Sequence, residues 1–217
     1  GAGPPAAART SVTPASGGGP GRAGVRITGD YGGGSGPGPY PIPTTAPVEG
    51  GSDRHVRVVD RQSCRLWEVF DASTPDGGRS WHAGSGATWD LRTNALRPDG
   101  WTSADAAGLP IFPGLIRYDE VAAGHIDHAL RFTARRTQRA YIHPATHVAS
   151  SITDPDVPPM GLRLRMKAGY DCTRLSHSAQ VVCAALKRYG MLVAGHGSDW
   201  FIRWGADRRW DDAGVAA

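Results

Sequence analysis

Glycine and proline are concentrated at the start of this 217-residue chain, and this limits which part of it can form a packed core. The chain contains 30 Gly and 17 Pro, of which 14 Gly and 9 Pro lie at positions 1–50 beside only five charged residues. Such a segment has too little apolar surface to offset the entropy lost on ordering. We therefore predict a low-complexity N-terminal segment at 1–52, a single compact β-rich domain at 53–212 and a tail at 213–217.

Two parts of the N-terminal segment have patterns of their own. Residues 24–29 alternate apolar and polar side chains, which predicts one short strand. Residues 37–47 read PGPYPIPTTAP, and this density of proline favours an extended polyproline II conformation. We expect the second part to lie over the core of the domain without joining a sheet.

Composition and motifs exclude or disfavour several classes of protein. Lys+Arg number 24 and Asp+Glu 20, and because the arginines are spread among acidic residues we predict no nucleic-acid partner. No apolar run approaches the roughly 20 residues of a membrane span, and the chain as given shows no signal-peptide pattern, which a mature form would have lost. Neither GxSxG nor GxxxxGK[ST] occurs, and no cofactor is predicted.

The domain at 53–212 is rich in short segments with the alternation, or the β-branched and aromatic content, of strands. One helix is predicted at about 178–189, with basic residues in its last turn and Gly190 after it. A shorter helix is predicted at Tyr118–Ala123. Many short strands with one substantial helix indicate a mainly β fold, either a two-sheet sandwich or a jelly roll. The predicted strands are His55–Asp60, Arg65–Phe70 (after a hairpin turn at Asp60–Ser63), Ala87–Leu91, His128–Thr133, Arg139–His143, Leu162–Lys167, Met191–Ala194 and Asp199–Trp204.

Three cysteines, at positions 64, 172 and 183, leave two interpretations open. A Cys172–Cys183 disulfide would join the long helix to the segment before it and stabilise the fold by a few kcal/mol in the chain-entropy model. Alternatively, all three are thiols that pack as small apolar side chains. The absence of CxxC spacing disfavours structural zinc, and no cysteine lies in a recognisable nucleophile motif.

The segment from Trp89 to Glu120 has little regular periodicity and is dense in acids and indoles. Long ordered loops of this kind are often functional. Indole rings such as those of Trp89 and Trp101 can stack on a pyranose, while acids and arginines can bind its hydroxyls. The five carboxylates are Asp90, Asp99, Asp105, Asp119 and Glu120, and the arginines with proline or aromatic neighbours are Arg97 and Arg117.

Glycoside hydrolysis requires two carboxylates flanking the scissile bond. We predict Asp90 with Asp105 as this pair in preference to Asp119 with Glu120, because adjacent side chains diverge in direction. Each acid also has a structural interpretation. Asp90 can bond loop amides, Asp105 can cap a helical turn, and the two adjacent acids can be the solvated start of a helix.

The histidines form a second set of candidates. The spacings His125-x-x-His128 and His143-x-x-x-His147 occur among metal ligands. However, His128 and His143 lie on predicted strands, where alternation decides the face, and HExxH is absent. We therefore predict no metal site.

A polysaccharide lyase is the other chemistry that these residue types suit. His128 with Arg131, and Tyr141 with His143, could supply the base, the acid and the group that neutralises a uronate carboxylate. Each histidine taken singly can also be structural. The predicted catalytic residues are Asp90, Asp105 and His128, and the predicted substrate-binding residues are Trp89, Trp101, Arg117, Asp119, Glu120, Arg131, Tyr141 and His147.

Four stretches carry a resemblance to other proteins: PGPYPIPTTAPVEGG at 37–51, LRPDGWTSADAAGLPIFPGLIRYDE at 96–120, HALRFT at 128–133 and GSDWFI at 197–202. They are similar to a group of secreted bacterial and fungal single-domain proteins of no firmly established activity. The resemblance implies an extracytoplasmic location and one compact domain, and it implies no catalytic residues. Members of the group read DNGSxW where this chain reads HGSDW at 196–200, and their ordered N-terminal region is longer.

These observations predict a secreted, extracellular protein that acts on a polysaccharide or oligosaccharide, as a glycoside hydrolase or a lyase. The alternative is a non-catalytic carbohydrate-binding or cell-surface interaction module that uses Trp89 and Trp101 as stacking platforms. A third interpretation is a purely structural secreted protein. The enzyme requires two acids, or an acid and His128, facing one cleft, whereas the module requires only aromatic and hydrogen-bonding groups on a surface. The sequence does not predict an oligomeric state.

Overall fold

The computed structural model describes residues 12–15, 22–23, 25–27, 34–36, 38–77 and 79–210. Their regular secondary structure is mainly β-strand, as predicted, together with two α-helices. No helix within these ranges is both long and apolar enough to cross a membrane. The helices are α1 (Tyr118–Ala123) and α2 (His177–Arg188), and Phe112–Gly114 forms a 3-10 helix. The strands are β1 (Val12–Ala15), β2 (Arg22–Ala23), β3 (Val25–Ile27), β4 (Ile42–Pro43), β5 (Val56–Asp60), β6 (Arg65–Phe70), β7 (Trp81–Ala83), β8 (Ser85–Asp90), β9 (Leu130–Ala134), β10 (Arg163–Leu164), β11 (Met191–His196) and β12 (Phe201–Ile202).

The first sheet has the order β1-β5-β6-β8, with β1 parallel to β5 and the other neighbours antiparallel. Because successive side chains of a strand point to opposite faces, the sheet has two distinct surfaces. On one face Val56, Val58 and Val69 are buried in an apolar core. On the other face Arg57 lies directly across from Glu68, and both are also buried. This second face, charged and yet shielded from solvent, borders the candidate site.

Part of the proline-rich segment packs into the apolar core of the first sheet. Tyr40 and Ile42 are each 1% exposed. Gly86 on β8 makes room for the tyrosine ring, since a Cβ at that position would lie 2.7 Å from Tyr40 Cζ. The prediction that 37–47 joins no sheet is wrong, because β4 pairs antiparallel with β2. A proline at the end of so short a pairing is tolerated, since few ladder hydrogen bonds depend on it.

The second sheet has the order β10-β11-β9-β12, with β9 parallel to β11 and the outer strands antiparallel to their neighbours. All five residues of β9 are buried, so the polar side chains of Arg131 and Thr133 are enclosed with the apolar ones. The helices α1 and α2 contribute Val121, Val181 and Leu186 to an apolar cluster beside this sheet. The strand β9 therefore places a buried arginine, Arg131, within the second sheet.

The predicted strands are confirmed where a neighbouring strand pairs along most of their length. The strands β3, β5, β6, β8, β9 and β11 end within two residues of their predicted bounds. The predicted strands at 162–167 and 199–204 shorten to β10 and β12, since each pairs over only two residues. The strand predicted at 139–143 is wrong, because Tyr141 forms only an isolated bridge with Met160. Alternation predicts an extended backbone but not whether a partner strand lies beside it.

Both helices lie where the sequence predicts them. The bounds of α1 match the prediction, and α2 starts after Ser176, whose hydroxyl accepts a hydrogen bond from Ala179 N. Gly190, with φ of +75°, follows its last turn. Cys172 and Cys183 form a disulfide, which decides between the two interpretations of the cysteines.

Removing this disulfide is expected to destabilise the protein. The bridged cysteines are 11 positions apart, and closing a loop of that size stabilises a fold by about 2–3 kcal/mol. The double variant Cys172→Ala/Cys183→Ala should lose that much free energy of unfolding in urea denaturation. Cys64→Ala, at the free cysteine, is the matched control and should change it by less than about 0.5 kcal/mol. Equal losses in the two proteins would contradict the prediction.

Candidate functional site

A cavity of about 230 Å³ lies where one end of the first sheet meets β9, β11 and the loop that contains Asp105; we call it the polar cavity. Residues from eight separate parts of the chain line it, so it exists only in the folded protein. A cluster of convergent titratable groups in a concave site is the usual mark of a catalytic or binding centre. The ionisable residues that line it are Asp53, His55, Asp105, Arg131, His147, His196 and Arg203.

Arg57 and Glu68 lie directly across from each other on the first sheet, two residues along the chain from His55 and Phe70, which line the cavity. Both Glu68 carboxylate oxygens accept backbone hydrogen bonds of 2.8 Å, from Ile111 and Phe112 at the start of the 3-10 helix. Burial raises the pKa of Glu68, although these hydrogen bonds and Arg57 act in the opposite direction. Burial also lowers the pKa of Arg57 to about 10. No guanidinium nitrogen of Arg57 has a hydrogen-bond partner among the described residues, and its nearest carboxylate is that of Glu49, at 3.6 Å.

Glu68 is expected to hold the loop before the 3-10 helix against the first sheet. In Glu68→Gln only one oxygen remains, so one of the two amide donors faces an NH₂ group and loses its acceptor. An unsatisfied buried donor costs about 1–3 kcal/mol, and denaturant unfolding should show that loss. Asp127→Asn, at a carboxylate that is 60% exposed, is the matched control. A Glu68→Gln protein as stable as the wild type would contradict this role.

The Asp105–Arg131 pair lies at the centre of the polar cavity wall. Asp105 Oδ1 accepts a hydrogen bond from Arg131 Nη2, and Asp105 Oδ2 accepts one of 3.3 Å from the Leu109 backbone. The two side chains are 2% and 7% exposed. Burial raises the pKa of Asp105, while the positive charge of Arg131 opposes the shift. Nη1 of Arg131 has no hydrogen-bond partner among the described residues. Both Asp105 oxygens are engaged internally, so this residue positions the guanidinium.

His55 is held by acceptors on both ring nitrogens. Its Nε2 lies 2.9 Å from the Ala104 carbonyl oxygen, which can only accept, so Nε2 carries a proton. Its Nδ1 is hydrogen-bonded to Glu49 Oε2. The other Glu49 oxygen lies 3.4 Å from Arg203 Nη1, and Arg203 also donates to Asp53 Oδ2 at 2.9 Å. These contacts form a chain of charged groups along one wall of the polar cavity.

His147 has a defined tautomer, and one of its ring nitrogens has no hydrogen-bond partner among the described residues. Its Nδ1 lies 2.9 Å from the Ala106 carbonyl oxygen, so Nδ1 carries the proton of the neutral ring. Nε2 then holds a lone pair, and the ring lines the polar cavity. The backbone N–H groups of Thr146 and His147 both donate to the Ala107 carbonyl, which fixes this segment to the loop that contains Asp105. A second histidine of the cavity, His196, is hydrogen-bonded to Thr137, and burial lowers its pKa.

A larger cavity of about 740 Å³, the aromatic cavity, is lined by Trp89, Trp101 and apolar side chains of the same long loop. Arg131 lines both cavities. The Arg97 guanidinium lies 5.5 Å from the ring centre of Trp89 and 5.3 Å from that of Trp101. It therefore occupies part of the ring surface that a sugar would need, and burial lowers the pKa of this arginine.

The predicted hydrolytic pair is not assembled. Asp105 lines the polar cavity, whereas Asp90 lines the aromatic cavity and forms a two-point ion pair with Arg92. That pair holds the pKa of Asp90 well below its usual range, so this carboxyl stays ionised and is a poor general acid. His128 also lines the aromatic cavity, apart from Asp105.

Several other predicted site residues have structural partners instead. Glu120 accepts from the Arg117 backbone and side chain at the start of α1 and contacts His128 Nε2 at 3.1 Å. Asp119 pairs with Arg209 at 2.8 Å, and Tyr141 packs against the core of the second sheet. Arg117, Asp119, Glu120 and Tyr141 line neither of the two cavities.

Of the predicted residues, the polar cavity brings together Asp105, Arg131 and His147. Sequence reasoning missed Asp53, His55, His196 and Arg203, which share no local motif, and Glu49, which stands in the proline-rich segment. Among the described residues no group of three or more His, Cys, Asp or Glu side chains is arranged to hold a metal ion. Comparison of the chain with protein-family models, with curated proteins and with solved structures finds no match.

Proposed function

We propose that this protein is a secreted enzyme that cleaves an acidic extracellular polysaccharide by β-elimination in the polar cavity. The observation that carries the proposal is the pairing of a histidine base with arginines in one cavity. His147 lines that cavity with its Nδ1 bonded to the Ala106 carbonyl, so that Nε2 holds the lone pair of the neutral ring, and Arg131 and Arg203 line the same space. A lyase needs this combination of a base for the carbon acid and cations for the carboxylate beside it.

His147 acts first, because it holds the lone pair. Its Nε2 removes the proton α to the uronate carboxylate, and the electron pair of that C–H bond forms a carbon–carbon double bond. The C–O bond at the β carbon breaks, and the leaving oxygen takes the proton back from Nε2. Arg131 and Arg203, which both line the polar cavity, stabilise the charge that develops on the carboxylate.

Hydrolysis receives less support from the same cavity. It requires one carboxylic acid that reaches the glycosidic oxygen and a second carboxylate as base or nucleophile. The Asp105 oxygens are occupied by Arg131 and Leu109 N, and Asp53 is paired with Arg203. Among the described lining residues, His147 and His196 each keep one ring nitrogen without a hydrogen-bond partner, whereas both ring nitrogens of His55 are engaged.

Analysis of the products tests the proposal directly. The protein is incubated with alginate, pectate and hyaluronan, and with xylan and mixed-linkage glucan as neutral polymers, and the products are weighed by mass spectrometry. We expect fragments of the acidic polymers that lack one water relative to hydrolysis products and that carry an unsaturated uronate end. Fragments with an added water would show that the reaction is hydrolysis and not elimination. An absence of products from every polymer would reject the enzyme in favour of the binding module.

The second candidate, a carbohydrate-binding module, is supported by the aromatic cavity. Trp89 and Trp101 line it together, and its volume of about 740 Å³ suits a ligand larger than the polar cavity admits. In a pure binding module, polymer binding would persist when His147 is replaced, and no polymer would be cleaved by either protein.

We also propose an extracellular location and a jelly-roll architecture for this protein. The Cys172–Cys183 disulfide supports an oxidising, extracellular location. For the architecture we retain a two-sheet sandwich of the jelly-roll type, supported by the two four-stranded sheets. The parallel pairs β1–β5 and β9–β11 are a departure from the antiparallel pattern of such folds.

A further inference from the structure

Trp200 is the most exposed large apolar side chain of the described residues, and it lies in an exposed segment of the chain. It is 63% exposed, and its neighbour Phe201 is 50% exposed. The indole lies on the ring of Phe132, with 5.4 Å between ring centres and 4° between planes. One face of the indole is therefore covered by the core, and the exposure of the side chain comes from its opposite face and edge.

The backbone holds this indole in place at a conformational cost. Trp200 has φ of +67°, a region that a bulky side chain rarely adopts and that costs about 1–3 kcal/mol. Trp200 N donates to the Thr133 carbonyl at 3.0 Å, and Thr133 Oγ1 donates to the Ser198 carbonyl at 2.6 Å. Asp199 Oδ1 accepts a hydrogen bond of 2.7 Å from Arg135 N. The segment is thus fixed to the end of β9, so the ring is preorganised.

The position of the ring relates it to the polar cavity. Thr133, whose carbonyl accepts from Trp200 N, lies two residues after Arg131 on β9, and His196, four residues before Trp200, lines the polar cavity. The indole itself lies on Phe132, which alternates with Arg131 and therefore projects to the opposite face of β9. A polymer bound in the cavity would reach the ring by passing the end of β9.

We propose that Trp200 is a stacking platform for a sugar ring of the polysaccharide chain, outside the polar cavity. A flat apolar face next to charged groups matches a pyranose, which has an apolar face and a rim of hydroxyls. The exposed side chains of Arg135 and Asp199, 3.7 Å apart, supply the hydrogen-bonding groups beside the ring. This inference rests on the proposed function for the identity of its ligand, and it concerns binding of the polymer, not the chemical step.

Polymer binding by Trp200→Ala tests the platform. Affinity electrophoresis in gels that contain alginate, pectate, hyaluronan, xylan or mixed-linkage glucan measures binding of the full chain. We expect Trp200→Ala to weaken binding of the preferred polymer by about 3- to 10-fold, and Trp200→Phe to retain most of it. Tyr170→Ala, at another aromatic residue that is 52% exposed, is the matched control and should bind like the wild type. Thermal denaturation of all four proteins shows whether they are folded.

The kinetics separate this inference from the proposed function. If both hold, Trp200→Ala raises KM for the polymer and leaves kcat for a short acidic oligosaccharide unchanged. If no polymer is cleaved but Trp200→Ala still loses binding, the role of Trp200 as a stacking platform is supported and the proposed lyase activity is rejected. A folded Trp200→Ala protein that binds every polymer like the wild type overturns the platform, whatever its activity. So does an equal loss in Tyr170→Ala, or a wild-type protein that binds none of the five polymers.

Discussion

Replacing His147 with Gln is expected to lower kcat on the cleaved polysaccharide by about 100- to 10,000-fold, with little change in stability. Glutamine can retain a hydrogen bond to the Ala106 carbonyl through its amide, but it has no basic nitrogen to take the proton. The ring lines a cavity and is only partly enclosed, so the packing loss is small. Initial rates on the preferred polymer, measured by the appearance of unsaturated ends, provide the comparison.

His125→Gln is the matched control for this experiment. His125 is exposed, pairs with Asp127 and lines neither cavity, so its replacement should leave kcat within a factor of two. A His147→Gln protein that retains wild-type kcat would remove His147 from the mechanism. Loss of activity together with loss of the folded state would instead identify His147 as a structural residue, and circular dichroism distinguishes the two results.

Asp105→Asn is expected to cost about 3–5 kcal/mol of unfolding free energy, the largest stability effect that we predict. The variant leaves the Arg131 guanidinium buried beside a neutral amide, and a buried charge without its partner is expensive. Urea denaturation of the wild type and the variant measures the difference. A change below about 0.5 kcal/mol, the range of ordinary surface substitutions, would show that Arg131 does not depend on Asp105.

A double variant separates the charge from the packing. Asp105→Leu/Arg131→Met removes both charges and keeps apolar volume in their place, and such replacements of buried pairs are often neutral or stabilising. We therefore expect the double variant to recover most of the stability that Asp105→Asn loses. Activity should be lost in the double variant, because the cation that faces the substrate carboxylate is gone. Wild-type activity in the folded double variant would exclude Arg131 from catalysis.

Local patterns were sufficient for the elements whose boundaries depend on nearby residues. The helix α2 has a serine cap before it, an apolar stripe and Gly190 after it, and each of these signals acts within one or two turns. The strands β5 and β6 alternate around a short turn and pair with each other, so the hairpin follows from one stretch of chain. Where the partner strand is distant or absent, as at 139–143, the same alternation predicted a strand that does not form.

Some residues of the candidate site could likewise be recognised from the sequence and others could not. The acids, indoles and histidines of the central region were recognisable by residue type, and Asp105, Arg131 and His147 do meet in one cavity. Their partners His55 and Arg203 could not be found, because residues far apart in sequence become neighbours only when the two sheets come together. Asp90, by contrast, was recognised by residue type but does not join this site. It forms an ion pair with the nearby Arg92 and lines the aromatic cavity.

Periodicity and residue type were enough to predict the mainly β class, the two helices and the region in which acids and aromatic residues are dense. Arg57 and Glu68 alternate with apolar neighbours on β5 and β6, a pattern typical of a strand with one solvated face. In the folded protein this face is covered by elements distant in sequence, so that both charges are buried. Burial by distant elements changes the dielectric environment and the hydrogen-bond partners of a side chain, and neither quantity is encoded in its immediate neighbours.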